Sequence, residues 1–202
     1  MTTFYIVRHG ETEWNKENRL QGWLNSPLTT FGREQADRLH DALLDIDFEA
    51  AYVSTSGRAI ETANRVLAGR SVEMVLQEDL REISLGEWQG KTVKEILASS
   101  DATSYVTYSE NPEKYVAVHT ESFEDVAKRA IRVLESVAKC HEGHVLVITH
   151  AVTVISVVNT LLGRGVSEIW SPPWIEGTSV TVLSIEEGEW QIKKIGCTAH
   201  LV

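Results

Sequence analysis

Val145 to Leu162 is an almost unbroken apolar stretch, about as long as a membrane-spanning helix requires. How it is read decides the class of the whole chain. Its first five residues, Val-Leu-Val-Ile-Thr, are mostly β-branched and suit a strand, and His150 and Asn159 interrupt the remainder. The stretch reads as a buried strand followed by a buried helix. A strand that is apolar on both faces must be covered on both sides, as in the sheet of an α/β protein.

The same alternation runs through the chain. Phe4 to Val7 is a short apolar run ending at Arg8-His9-Gly10, and the spacing of Ala36, Leu39 and Leu43 predicts a helix over about Phe31 to Leu44. Ala50 to Ser54 is a second short strand, followed by a helix over about Arg58 to Leu67 with Ile60, Ala63 and Leu67 at helical spacing. Ser122 to Asp125 has the form of a capping box, and Phe123, Val126, Ala127, Ala130, Val133, Leu134 and Val137 make an apolar stripe behind it. Ser179 to Ile185 and Trp190 to Ile195 flank a turn at Gly188 and predict a hairpin. The expected fold is a three-layer α/β/α sandwich around a mainly parallel, mixed central sheet. A single domain over 1–202 is expected, because no linker, repeat or low-complexity tract divides the chain. Lys91 to Thr120 has weak periodicity and three tyrosines; it reads either as an insertion covering a site or as a surface excursion.

Nineteen Lys plus Arg against twenty-nine Asp plus Glu give a net charge of −10. That balance argues against a nucleic-acid surface, so any bound anion must be held by a local pocket. The chain starts without the basic, cleavable pattern of a signal peptide, and its two cysteines, Cys140 and Cys197, lack ligand spacing. A cytoplasmic address without membrane attachment is expected.

Sites in open α/β sheets lie at the C-terminal ends of the strands. Three predicted strands end in groups suited to anions: Arg8-His9, Ser54 leading to Arg58, and His150. Arg8-His9-Gly10-Glu11-Thr12 followed by Trp14-Asn15 resembles the signature of the histidine phosphatase superfamily, also called the phosphoglycerate-mutase-like family. Arg19 to Gly22, Pro27 to Thr29, Ser54 to Ala63, Leu80 to Glu82 with Gly86, Trp88 and Gly90, Glu121-Ser122 and Val147 to His150 resemble later blocks of the family, in its order. Ala151, Asn25 and Thr120 stand where that family commonly has Gly, Asp and Gly.

The resemblance implies two-step phosphoryl transfer with no cofactor and no metal. His9 is the implied nucleophile and Glu82 the implied acid and base; Arg8, Asn15, Arg58 and His150 bind the phosphoryl group. Gln21, Gly22 and Ala151 are weaker substrate-binding candidates at the rim. The chemistry suits these residue types: a neutral imidazole is nucleophilic, neighbouring guanidiniums keep it neutral, and the same cations stabilise a phosphoryl transition state. A two-histidine, one-carboxylate metal site is disfavoured because two arginines would repel a cation. No Gly-rich loop with a lysine supports a nucleotide-dependent kinase. The remaining histidines, His40, His119, His141, His144 and His200, are read as structural or surface groups.

The implied activity is hydrolysis of a small phosphorylated metabolite. A cofactor-dependent phosphoglycerate mutase and a non-catalytic phosphate-ester binding module are the alternatives. Gln21, where mutases tend to carry a small hydroxyl residue, and the short middle and tail favour hydrolysis. The His9–Glu82 pairing favours an enzyme.

Overall fold

The computed structural model describes residues 1–202. Strands β1 (Thr2–Arg8), β2 (Phe48–Ser54), β3 (Glu73–Gln77), β4 (His144–Thr149), β5 (Val180–Glu186) and β6 (Glu189–Cys197) form one sheet in the order β3-β2-β4-β1-β5-β6. The pairs β2·β3, β2·β4 and β1·β4 are parallel, whereas β1·β5 and β5·β6 are antiparallel. The mixed, mainly parallel sheet is therefore the one expected, and β5–β6 is the anticipated hairpin.

Side-chain alternation along β4 shows why that strand is apolar throughout. Val145 and Val147 pack with Phe4 and Ile6 against helices α6 (Phe123–Ala138) and α7 (Ala151–Leu161). Leu146 and Ile148 pack on the opposite face with Val7, Ala51 and Val53 against α2 (Thr30–Ala42) and α3 (Gly57–Val66). Both faces are covered, so no polar position is tolerated until Thr149. The stretch from Val145 to Leu162 is indeed strand then helix, and no helix is long and apolar enough to cross a membrane.

Three local details differ from expectation. Ser122 caps α6 by accepting from Asp125 N, but the Asp125 carboxylate turns to the Ser122 hydroxyl instead of the backbone. Strand β3 has no counterpart in the sequence pattern; it is a short edge strand with Met74 and Leu76 exposed, so little apolar alternation marks it. Lys91 to Thr120 contains α4 (Val93–Leu97), opened by a Thr92–Glu95 capping box, and α5 (Ala102–Glu110). Its aromatics join Trp88, Phe123 and Trp170 in a separate apolar cluster, with Tyr108 stacked on Phe123 at 5.2 Å. Helix α1 (Glu13–Lys16) completes the set.

Candidate active site

The ends of β1 and β4 lie side by side, because β1 and β4 pair in parallel and the His9 N–H continues the ladder onto Thr149 O at 3.0 Å. That register brings the His9 and His150 rings to 5.1 Å between centroids. Beyond His9 the chain passes very close to the start of α2. A Cβ on Gly10 would sit 2.4 Å from Gly32 O, and one on Gly32 would sit 2.0 Å from Glu11 O. Only glycine fits at either position, and the contact holds the turn that presents His9.

Helix α3 brings the third component. Arg58 is only 1% exposed, yet its guanidinium spans the site. Its Nε donates to His9 Nε2 at 3.2 Å and its Nη2 to His150 Nδ1 at 3.1 Å. The carbonyls of Gly22 and Leu24 accept from Nη2 and Nη1 at 2.9 and 2.6 Å. Asn25 Oδ1 accepts from the Arg58 N–H at the first turn of α3, where Ser56 makes no side-chain cap. The loop from Gln21 to Asn25 therefore both seats the guanidinium and caps its helix.

These partners assign the tautomers. His9 Nδ1 faces Gly10 O at 2.8 Å, so Nδ1 carries the hydrogen and Nε2 holds the lone pair that receives Arg58. His150 Nδ1 receives from Arg58, so its Nε2–H donates to Ser54 Oγ at 2.7 Å. Burial pushes the His9 pKa well below 6.5, and the charges of Arg58 and Arg8 add to the effect against the raising hydrogen bond that His9 donates to Gly10 O. His150 is lowered in the same way by burial first, then Arg58, His9, Arg129 and Arg8. Both imidazoles are neutral at physiological pH. Burial lowers the Arg58 pKa to about 10, so it remains a cation there.

Arg8 closes the other side. Its Nη1 donates to Ile175 O at 2.7 Å, but its buried Nε has no protein partner. A buried, unpaired guanidinium donor is costly unless something accepts from it. Asn15 lies on α1; its Oδ1 accepts from Thr12 N and Thr12 Oγ1 in a capping box, which leaves the Nδ2 amide without a protein partner. Gln21 is buried with Oε1 unpaired. Gly22 has φ +50, and a Cβ there would meet Gln89 Oε1 at 2.2 Å.

Glu82 enters from a turn after β3. Its carboxylate accepts from the N–H groups of Ile83, Val152 and Thr153 at 3.0, 3.3 and 3.2 Å. His150 is the N-cap residue of α7 but makes no side-chain cap, since its ring is committed to Arg58 and Ser54. Glu82 supplies the missing acceptor from across the site, beside Ala151 at the first helical position. Its charge raises the pKa values of both Arg8 and Arg58, opposing their burial. The structure thus gathers Arg8, His9, Arg58, Glu82 and His150 around one point, with Gly22 on Arg58 and Ala151 beside Glu82; the side chains of Asn15, held by Thr12, and of Gln21, which precedes Gly22, make no hydrogen bond to that set.

Sequence reasoning missed the groups that hold this set in place: Thr62, which accepts from Gly10 N; Asn25 as the cap of α3; and Arg129. Arg129 alone carries a visible signal, an arginine on the apolar face of α6 between Val126 and Val133.

Two neutral imidazoles, two arginines and a carboxylate at the C-terminal ends of parallel strands define a phosphoryl-transfer enzyme. The family model of the histidine phosphatase superfamily (branch 1) matches residues 4–198, and the chain belongs to that family. It is a phosphomonoester hydrolase of the histidine-phosphatase type. Phosphoserine phosphatase 1 of Hydrogenobacter thermophilus is 31% identical over 202 residues, covering 100% of this chain and 95% of that protein. The solved structure of Bacillus stearothermophilus YhfR is 40% identical with a TM-score of 0.96, covering 100% of both chains. A phosphoglycerate mutase from Bacillus anthracis is 27% identical with a TM-score of 0.79, over 99% of this chain and 95% of that one.

Proposed function

We propose that His9 is the nucleophile of a two-step hydrolysis of small phosphomonoesters, with Glu82 as its acid and base. The observation that carries this reading is the His9 tautomer: the Nδ1–H on Gly10 O leaves an unprotonated Nε2 within reach of Arg58. As the anionic ester binds, the Glu82 carboxylate takes up one proton from the ester or from solvent. In the first step Nε2 then attacks phosphorus, the ester P–O bond breaks, and the departing oxygen takes that proton from Glu82. In the second, water attacks the phosphohistidine and gives its proton to Glu82. The P–N bond then breaks and inorganic phosphate leaves.

Arg58 donors now on the two histidines pass to phosphoryl oxygens, and the unpaired Arg8 Nε and Asn15 Nδ2 take others. His150 donates from Nδ1 only when that atom gains a proton, a change that a dianionic group beside it favours. Gln21, Gly22 and the Ala151 N–H line the rim. Lys91 to Thr120, which packs around Trp88, bears on the ester's leaving group and so on substrate choice; residues 1–202 act as one catalytic unit. The −10 charge disfavours nucleic acid, and unpaired Cys140 and Cys197 suit a reducing cytoplasm.

Rapid quenching with a phosphomonoester whose phosphoryl group is labelled tests the reading. Acid-labile, base-stable label should appear on the wild-type protein and be absent from His9→Ala. Supplying glycerate as acceptor separates hydrolysis from mutase transfer, and release of inorganic phosphate alone is expected. Failure of any labelled protein to accumulate or turn over, with ester merely bound, would instead favour a binding module.

A further inference from the structure

The Glu121-Ser122 block and Arg129 are not absorbed by the chemistry above, yet they meet at one place. Arg129 projects from the middle of α6 and is 7% exposed. Its Nε and Nη2 donate to the two carboxylate oxygens of Glu121 at 2.9 and 3.0 Å. Its remaining donors reach three carbonyls of the segment that carries Glu82: Nη1 to Asp79 O and Arg81 O, both at 2.7 Å, and Nη2 to Glu82 O at 3.0 Å. All five guanidinium N–H donors are thereby used. Glu121 continues the clamp on the far side of Glu82, where its Oε2 accepts from Ser84 N at 2.8 Å and its own N–H donates to Ser84 O at 3.0 Å.

The segment held in this way has little structure of its own. It joins two single 3-10 turns, Glu78–Leu80 and Gly86–Trp88, and residues between them form no helix or strand. Such a segment sets a side chain accurately only if its carbonyls and amides are held from outside. The opposite edge is held by Thr149 Oγ1 on Leu80 O and Thr153 Oγ1 on Arg81 O. Glu82 is therefore fixed between the β4–α7 junction, which its carboxylate caps, and the Arg129–Glu121 pair, which grips its backbone.

We infer that Arg129 and Glu121 are positioning residues for the acid: their bidentate pair sets the Glu82 backbone so that its carboxylate meets the leaving oxygen. This rests on Glu82 being the acid in the proposed mechanism. An aryl ester with a weakly basic leaving group needs little protonation, whereas an alkyl ester needs much. A displaced acid therefore penalises the alkyl ester selectively, while general damage to the site penalises both. The quantity kcat/KM reports steps up to phosphoenzyme formation only, so the later attack of water does not enter.

The test compares kcat/KM for phosphoserine and 4-nitrophenyl phosphate in the wild type, Glu121→Gln, Arg129→Lys, Glu82→Gln and the double variant Glu82→Gln/Glu121→Gln, with thermal unfolding to show that each is folded. Glu121→Gln keeps the side-chain volume and one acceptor, and Arg129→Lys keeps the charge, so either serves if the other fails to fold. The alkyl-to-aryl ratio should fall about tenfold in each, and adding Glu121→Gln to Glu82→Gln should lower it no further. Equal losses on both esters in Glu121→Gln and Arg129→Lys, beside a selective loss in Glu82→Gln, would overturn this inference alone. A full further drop in the double variant would do the same. Equal losses on both esters in Glu82→Gln would remove Glu82 as the acid and overturn both readings.

Discussion

Arg58 Nε donates to His9 Nε2 across 3.2 Å, so the cation rests on the lone pair that the proposed mechanism sends to phosphorus. The contact has two consequences. A proton on Nε2 would face the guanidinium directly, which helps keep the imidazole neutral. In the proposed mechanism a phosphoryl group entering the site takes the guanidinium's donors before Nε2 is free, so binding of the anion and exposure of the nucleophile would be one event.

Arg58→Ala should lower kcat/KM by at least about a hundredfold, because a preorganised donor aimed at the transition-state charge is lost. Arg58→Lys keeps the charge but not the fork, and should recover only part of it. Vanadate, five-coordinate on Nε2, should inhibit more tightly than phosphate, which resembles product. Both inhibition constants should rise in Arg58→Ala. Unchanged constants in that variant, or vanadate no tighter than phosphate in the wild type, would show that Arg58 does not form the anion site.

Stability should fall with acid through the same two histidines. In the folded state His9 and His150 have pKa values held well below the unfolded value of 6.5. Below that pH the unfolded chain binds protons that the folded one refuses, so their contribution is intact above about pH 6.5 and declines beneath it. Both should therefore lower the stability of the folded protein as the pH falls from 7 to 5. Denaturant midpoints across that range should show His9→Ala losing less stability than the wild type. Parallel pH profiles for the two proteins would count against a buried, neutral His9.

Much of this site is legible where residue type and element pattern coincide. His9 and His150 stand at the ends of apolar runs, and their proximity follows once those runs are parallel neighbours. Arg58 is placed by the helix that follows β2, but its seating on the Gly22 and Leu24 carbonyls is invisible, because a backbone carbonyl is the same in every residue. Strand β3 is hidden for a different reason: an edge strand exposes the apolar side chains, Met74 and Leu76, whose burial would otherwise mark it. In α5 the organising contacts are aromatic and long-range, Tyr108 with Phe123 and Trp170, so no helical period appears locally. Glu82 could be read as one acid among several; its selection comes from α7, whose first N–H groups need an acceptor that His150 does not supply.

The two glycines Gly10 and Gly69 should separate geometry from mere flexibility. Gly10→Ala places a methyl 2.4 Å from Gly32 O, backbone against backbone, and no side chain can yield. It should cost about 2–3 kcal/mol of stability and reduce turnover sharply, since His9 is the adjacent residue. Gly69→Ala meets nothing within 4 Å but has φ +74, so it should cost about 1–2 kcal/mol of strain with turnover retained. Thermal unfolding and kcat for the two variants check this. Normal turnover in Gly10→Ala would mean that the Gly10–Gly32 approach does not position His9.

The site should take an anion and reject a divalent cation. Arg58 spans the two imidazoles and Arg8 presents an unpaired buried Nε, while the Glu82 carboxylate, the anion of the site, is committed to the first N–H groups of α7. His9 Nε2 and His150 Nδ1, the atoms a metal would need, both already accept from Arg58. A divalent cation binding there would have to displace a guanidinium while facing it at close range, whereas a phosphate dianion is attracted by both arginines. Turnover should therefore persist after exhaustive EDTA treatment, within about twofold of the untreated rate, because the charge stabilisation resides in the arginines. Inorganic phosphate should protect the folded protein against thermal unfolding in a dose-dependent way, and magnesium or zinc should not. Loss of turnover on chelation, restored by one divalent ion, would place a metal in the reaction and remove the arginines from their assigned role.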